Sequence, residues 1–546
     1  LAMAASQERV GVVVAAQDAA ELVRLADAEN LEATPVAVVT EEKRLRMTWR
    51  GQVVADLERA FLDSNGAPQY AAARVPAPDP AATPFRAPAV ERLAEAWTRS
   101  LQDLNSCSQR GLGELFDGTI GAASVLLPYG GARRRTPSEA MVAKFPVQGG
   151  ETRSASAMSH GFFPALSRWS PFHGAVWAHV QAAARLAAVG ADPARLRFTL
   201  QEYFGKPQQD PARWGQPVAA LLGALHAEMA LGTPAIGGKD SMSGTFKDLD
   251  VPPTLVAFAV DVVKADEVTS PEFKGAGHAV VLVEVPRTAE ALPDWEALPA
   301  TYARVAALVR SGGALAAKVV GMDGLAPALS VMAFGNGVGL ELEAREASFW
   351  FAPRPGAFVL ELAEGTELPG LPVTPLGRTT AEERIRVGDA TLELNALQAA
   401  WEAPLEPVFP TVTGEAAEPL PPFRAHPAEA PRAAAVRVAK PRVLLTAFPG
   451  TNCEYDCAAA FEKAGARVET LVFRNLNPHA VEESLAALAK GIGESQIVMI
   501  PGGFSAGDEP EGSGKFIAAA YRAPQVRDAV HDLLKRRDGL MLGICN

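Results

Sequence analysis

Residues 231–246 read L-G-T-P-A-I-G-G-K-D-S-M-S-G-T-F. An apolar helix predicted over Val218–Met229 runs into this stretch and a β-rich run, Pro253–Val263, leaves it, so the segment is a joint between helix and strand. Gly237 and Gly238 allow close backbone approach and positive φ. Successive free N–H groups in such a turn form a nest for an anion. Lys239 is a point charge for phosphate oxygens, Asp240 a candidate metal ligand, and Ser241 and Ser243 hydroxyl donors. The cluster predicts one wall of a phosphate or nucleotide site. The spacing is not G-x-x-x-x-G-K-[ST], so no P-loop is implied, and a solvated turn is the competing reading.

A chain of 546 residues exceeds what one core sustains and predicts about three to five domains. The formal charge of −12 argues against general binding to nucleic acid or anionic membranes, so any phosphate patch must be local. Four cysteines, Cys107, Cys453, Cys457 and Cys545, fall short of a disulfide framework and fit a reducing cytoplasm. Cys453 and Cys457 lack a second Cys/His pair nearby, which argues against zinc. No run approaches the ~20 apolar residues of a membrane span, and no secretory signal opens the chain. Leu1 is not a methionine and Asn546 falls inside a predicted tight turn, so the expectation is a fragment, with the remainder of the same polypeptide as its missing partner.

Patterning divides the chain into six stretches. Residues 1–75 carry strands at Arg9–Ala15 and Thr34–Thr40, a helix at Asp18–Ala28, and short strands at Leu45–Trp49 and Val53–Val54. Residues 76–108 begin rich in Pro and Ala and read as a linker. Residues 109–268 form an α/β lobe with strands at Ser124–Leu127, Arg195–Leu200 and Thr254–Val263, and helices at Gly174–Val189 and Val218–Met229. A second lobe spans 269–410, and a second linker 411–440. Thr40–Phe61 and Thr380–Trp401 share acidic–basic pairs, a strand, a turn, a strand and an amphipathic segment ending in an aromatic. A period near 340 residues predicts domain duplication rather than a solenoid, whose repeats run about 20–50. Residues 441–546 alternate strand and helix as a doubly wound sheet does, with strands at Arg442–Ala447, Val468–Phe473, Ile497–Ile500 and Leu540–Leu542 and a long helix over Ser513–Leu534. The fold class is thus multidomain α/β and α+β: duplicated α+β lobes, then a doubly wound domain.

Gly543-Ile544-Cys545-Asn546 follows an apolar strand and matches the front half of a G-x-C-x-G nucleophile elbow. A following helix dipole would favour the thiolate. The backbone N–H groups of Gly502, Gly503 and Asn546 would form an oxyanion hole, since both loops leave one edge of a parallel sheet. A buried structural cysteine is the alternative. His479 and His531 both sit at helical positions that read as exposed, so the general base is expected beyond Asn546 and the fragment itself is expected not to turn over.

S-Q-E-R at 6–9, F-D-G-T-I-G at 116–121, G-G-K-D-S-M-S at 237–243, F-P-G-T-N-C at 448–453, G-G-F-S-A-G-D at 502–508 and the terminal G-I-C-N together resemble the phosphoribosylformylglycinamidine synthase (formylglycinamide ribonucleotide amidotransferase) family in its long single-chain form. The resemblance implies a class I glutaminase joined to a synthetase of two copies of an N-lobe plus C-lobe unit. Residues 1–75 would then end the first copy. It also implies a mechanism. Cys545 attacks the amide of glutamine to give a glutamyl thioester and ammonia. ATP with Mg²⁺ phosphorylates the formamide oxygen of formylglycinamide ribonucleotide, and ammonia displaces the phosphate.

By the same resemblance Ser6, Gln7 and Ser241 would contact formylglycinamide ribonucleotide, with Ser241 reaching into the first copy's cleft. Gly237 and Gly238 would lie on ATP. Lys239 stands where relatives can place a metal-binding asparagine; an ammonium cannot ligate Mg²⁺, so Lys239 is expected to neutralise ATP phosphate and Asp240 to be the metal ligand. Members with a second nucleotide site carry H-D-x-S-D-G-G where residues 318–324 read K-V-V-G-M-D-G, and a helical Glu and Asn where Gln181 and Arg185 fall. Two metal carboxylates are therefore expected to be missing from the second copy. Ala5 also stands where a glutamate is usual before S-Q-E-R. A glutaminase with another acceptor and a non-catalytic, ammonia-guiding scaffold are the other readings.

Overall fold

The computed structural model describes residues 10–63, 70–120, 123–147, 150–412, 414, 438–503 and 513–545, which divide into two units: 1–67 with 418–546, and 68–417. The first unit opens with helix α1 (Ala19–Ala28), the hairpin strands β1 (Arg44–Trp49) and β2 (Gln52–Glu58), and helix α2 (Arg59–Asp63). The hairpin turns at Arg50 and Gly51, both at positive φ, the pairing that suits the twist of two strands joined by a two-residue loop. Arg44 closes its open end on Asp56 at 2.7 Å and Glu58 at 3.2 Å. The strands expected at 9–15 and 34–40 are not formed. Val13, Val36 and Val38 are each more than four-fifths exposed, and no described strand lies beside them to take their backbone hydrogen bonds.

In the second unit the expected 76–108 linker contains helix α3 (Leu93–Gln102), which buries Trp97 and Leu101 completely. Leu93, Ala96, Trp97 and Leu101 recur at helical spacing, a signal that the Pro-rich residues before them obscure. Helix α4 (Arg110–Gly113) leads into the first lobe: β3 (Ser124–Leu126), β4 (Tyr129–Gly130), β5 (Thr136–Pro137), β6 (Met141–Lys144), β7 (Ser154–Gly161), α5 (Pro164–Trp169), α6 (Pro171–Ala188), β8 (Arg197–Tyr203), α7 (Pro211–Leu231), β9 (Ala235–Lys239), β10 (Thr245–Phe246), β11 (Leu249–Asp250) and β12 (Thr254–Lys264). Its six-stranded sheet runs β3-β6-β7-β12-β8-β9. Strand β12 alternates strictly, burying Leu255, Ala257, Ala259, Asp261 and Val263 on one face. Helix α6 is buried along nearly its whole length among alanines and packs on α7, where a side chain at Gly223 would run into the backbone of Phe172.

The second lobe follows with β13 (Ala279–Val283), α8 (Ala297–Arg310), β14 (Ala314–Val319), α9 (Leu325–Phe334), β15 (Gly339–Leu342), β16 (Phe358–Leu362), β17 (Val373–Thr380), β18 (Arg384–Val387), β19 (Ala390–Glu393) and α10 (Leu394–Glu402). Its seven strands run β14-β16-β13-β17-β15-β18-β19. One core joins both lobes, through α6 from the first and Val305, Phe358 and Leu360 from the second, while a second core gathers Trp97, Trp350 and Trp401. The two lobes are therefore layers of one body.

The first unit resumes with β20 (Arg442–Ala447), α11 (Glu454–Lys463), β21 (Arg467–Val472), α12 (Pro478–Glu494), β22 (Ile497–Ile500), α13 (Ser513–Arg522), α14 (Pro524–Lys535) and β23 (Leu540–Gly543). All three strand pairings are parallel and the order is β21-β20-β22-β23, the doubly wound arrangement. The single helix expected over 513–534 is two helices. Pro524 offers no N–H and holds Ala523 extended, which breaks the helix there.

Candidate active site

Because the four strands are parallel, the loops after β20, β22 and β23 emerge at one edge, and they enclose a cavity of about 140 Å³. Gly450 and Thr451, Ile500 through Gly503, and Gly543 through Cys545 line it, with Gly514 and Ile517 of α13 closing one side. Cys545 is exposed and sits at φ +69°, a left-handed conformation that a residue with a side chain adopts only at a cost. That turn aims it at the cavity rather than into the sheet. Gly502 faces it so closely that a Cβ there would lie 2.8 Å from the Cys545 Cβ. Gly503 is similarly enclosed, since its Cβ would fall 2.3 Å from the Gly450 carbonyl oxygen.

Residues 448–451 are locked as a tight turn. Thr451 N donates to Phe448 O at 2.9 Å, and Phe448 N donates to Thr451 Oγ1 at 3.0 Å. Thr451 also bridges Gly503, so two of the walls are tied together. Three of the predicted residues, Cys545, Gly502 and Gly503, thus meet in one place; Asn546 lies outside the described residues. Gly450 and Thr451 belong beside them, and the F-P-G-T-N-C turn after a parallel strand was their signal. His479 and His531 are exposed, His479 pairing with Glu483 at 3.2 Å, and neither lines the cavity. Burial pushes the Cys457 thiol up, which leaves it a poor nucleophile.

The 237–243 segment is built differently. Gly237 and Gly238 are not a nest in a turn but part of β9, the edge strand beside β8, and the register shifts between Phe198 and Leu200. Gly237 takes φ +153°, and a Cβ on Gly238 would lie 2.5 Å from the Leu200 carbonyl oxygen, so glycine is required by the strand contact. Lys239 is exposed and its Nζ donates to the Asp240 carbonyl oxygen at 2.5 Å. Ser241 and Ser243 share a hydroxyl hydrogen bond of 2.8 Å. Ser241 is pinned to β8: its N–H donates to Glu202 O at 3.1 Å and its carbonyl accepts from Phe204 N at 2.9 Å. Ser6 and Gln7 lie outside the described residues.

Glu202, on β8 under this segment, was not anticipated. It is 6% exposed, its Oε1 has no hydrogen-bond partner, and burial, with Asp240 nearby, pushes its carboxyl up to about 7. Asp240 itself is exposed, and no cluster of three or more acidic, histidine or cysteine side chains suited to a metal occurs among the described residues. The donor set at Asp240 therefore does not by itself make a protein cage for Mg²⁺ among the described residues. Nor does the set at Gln181, Arg185 and Lys318, where two of three side chains are cations.

The cysteine at positive φ over a glycine floor, at the edge of a doubly wound parallel sheet, lies within residues 440–546, which match the family model of the CobB/CobQ-like glutamine amidotransferase domain. Over three quarters of its length the chain is similar to the phosphoribosylformylglycinamidine synthase subunit PurL. It is 28% identical to that of Thermus thermophilus over 443 residues, covering 75% of this chain and 59% of the relative. The PurL subunit of Pyrobaculum aerophilum is 27% identical over 404 residues, with 68% and 54% covered. Among solved structures, T. maritima PurL complexed with ATP is similar at a TM-score of 0.46 and 20% identity, over 68% of this chain and 54% of that one. The chain spans 54–59% of the length of these curated relatives. Among the described residues no helix is long and apolar enough to cross a membrane.

Proposed function

We propose that this chain belongs to an enzyme that converts formylglycinamide ribonucleotide to formylglycinamidine ribonucleotide with glutamine and ATP, a carbon–nitrogen ligase of purine biosynthesis working in the cytoplasm. The observation that carries this is Cys545, held left-handed against Gly502 above the cavity. The Cys545 sulfur attacks the carboxamide carbon of glutamine, and the Gly502 and Gly503 backbone receives the oxyanion. Collapse of that intermediate releases ammonia and leaves a thioester, which water then hydrolyses to glutamate. The described residues supply the nucleophile and these walls, and no histidine lines the cavity to act as base.

In the synthetase part, Lys239 neutralises phosphate of ATP, and Ser241, fixed by its two backbone bonds to β8, donates to the acceptor substrate. Mg²⁺ would supply Lewis-acid stabilisation of the transferring phosphoryl group. Asp240 is an exposed carboxylate that would hold such an ion only together with the nucleotide's phosphates. The paired hairpin–helix segments at 44–63 and 384–402 support the reading of two related synthetase copies.

A diazoketone glutamine analogue tests the nucleophile directly. The expected result is stoichiometric alkylation of Cys545, located by peptide mass and suppressed by glutamine. Alkylation only at Cys453 or Cys457, or labelling indifferent to glutamine, would sink the assignment.

A further inference from the structure

The junction of the two lobes in residues 68–417 holds a charge cluster that the proposed reaction does not use. Glu139, between β5 and β6, has a side chain 1% exposed. Lys318 reaches it from β14 of the other lobe, Nζ donating to Oε1. The Arg185 guanidinium, from α6, stands 3.6 Å from the second carboxylate oxygen and donates to the His160 carbonyl at 3.0 Å. Gln181, one turn earlier on α6, spends its side-chain oxygen on the Gly356 N–H at 3.2 Å, which ties α6 to the loop before β16.

The charges can be counted. Burial, with Arg185 close by, brings the His160 pKa down to about 4, so that ring adds no charge at neutral pH. Asp323, near Lys318 and bonded by Ser106 Oγ at 2.9 Å, is pushed up by burial towards its neutral form. Two protein cations, Lys318 and Arg185, therefore face the two oxygens of the Glu139 carboxylate, and a divalent cation entering here would meet their positive charge.

We propose that Lys318 and Arg185 replace a metal ion at this junction, so that the Lys318–Glu139–Arg185 cluster itself clamps the two lobes and the cleft takes no Mg²⁺-nucleotide. The inference rests on reading residues 109–410 as a synthetase copy, but its tests use stability and local protection rather than turnover. A buried pair broken from one side leaves the other charge stranded, whereas removing both Lys318 and Glu139 charges leaves only Arg185, whose side chain is about a quarter exposed and keeps its charge hydrated.

The experiment is a double-mutant cycle on the full chain at pH 8, using Lys318→Met, Glu139→Gln and the two together, with Lys318→Arg as the conservative control. Each single variant is expected to lower Tm by roughly 5 °C or more, the double variant to recover most of that loss, and Lys318→Arg to stay close to the parent. If a single variant does not fold, recovery of a folded double variant carries the same information. Additive losses, or a double variant no better than the worse single one, would overturn the clamp. Hydrogen exchange with and without Mg·ADP supplies the second readout. Unchanged protection over 138–144 and 314–319 supports a closed, metal-free junction, and added protection confined to those segments would overturn it.

Discussion

The two predicted chemical sites are built on opposite plans. The cavity at Cys545 is walled by three strand ends of a single parallel sheet, so backbone topology alone brings its parts together. The Gly237–Ser243 segment starts in an edge strand paired with β8, with Lys239 and Asp240 exposed and Ser241 pinned to β8 by two backbone bonds. The first arrangement can position a nucleophile to fractions of an ångström; the second offers one wall and leaves the opposite face of any ligand to other residues. Glycine does different work in each. Gly502 keeps the space in front of the Cys545 side chain clear, whereas Gly238 lets two strands approach.

The largest effect that would separate the two is loss of the sulfur. In the full-length protein Cys545→Ala should cut glutamine-dependent product formation by about 10³-fold or more while leaving ammonia-dependent formation within about twofold. Equal loss with both nitrogen donors would mean that Cys545 supports structure rather than chemistry. The glycines give a finer test. Gly502→Ala should lower glutamine-dependent rate by roughly 10–100-fold, or about 1.4–2.8 kcal/mol, with a smaller effect on Tm, because the nearest atoms the added methyl meets belong to Ile544 and Cys545 in one exposed turn. Gly238→Ala should do the reverse, costing about 1–3 kcal/mol of stability by pushing on the Leu200 carbonyl while sparing thioester formation. Steady-state rates and thermal melts on the same preparations decide both.

Much of this was legible in the residues because periodicity and turn chemistry are local. Ile497–Ile500 is the strand expected, and β23 ends at Gly543, where the apolar run meets G-I-C-N. What could not be read was anything decided by a neighbour. The shared pattern of 40–61 and 380–401 gives a hairpin and a helix in both places. Yet Ile385 and Trp401 are almost wholly buried, while Leu45 and Phe61 are about half exposed. The difference is β15, which pairs in parallel with β18 and supplies the sheet that β1 and β2 lack. The same dependence explains the unformed strands at 9–15 and 34–40. It also explains the misread glycines: G-G-K looks like an anion nest until Leu200 lies beside it. Glu202 was invisible for a related reason, since L-Q-E-Y-F alternates as a half-exposed strand would and only the packed structure shows which glutamate face is covered.

Glu202 supplies the smallest and most specific test, confined to the open site. Its carboxyl is raised from the ordinary carboxylate range to about 7 by burial first and by Asp240 second, so between those values the folded protein binds a proton that the unfolded chain has released. Stability from this group is therefore full at low pH and declines as pH rises towards and through about 7. Glu202→Gln removes the titration while keeping shape, and its amide can donate where the orphaned Oε1 cannot. A shift of this size corresponds to at most about 3 kcal/mol, and water around the exposed Asp240 screens part of it. The expected gain for Glu202→Gln is thus about 1 kcal/mol at pH 8, falling to near zero at pH 4.5 or below. Asp240→Asn should give a smaller gain in the same direction, because it withdraws the secondary cause and leaves burial untouched. A Glu202→Gln gain independent of pH would show that the amide hydrogen bond, not the buried charge, is what the site lacks.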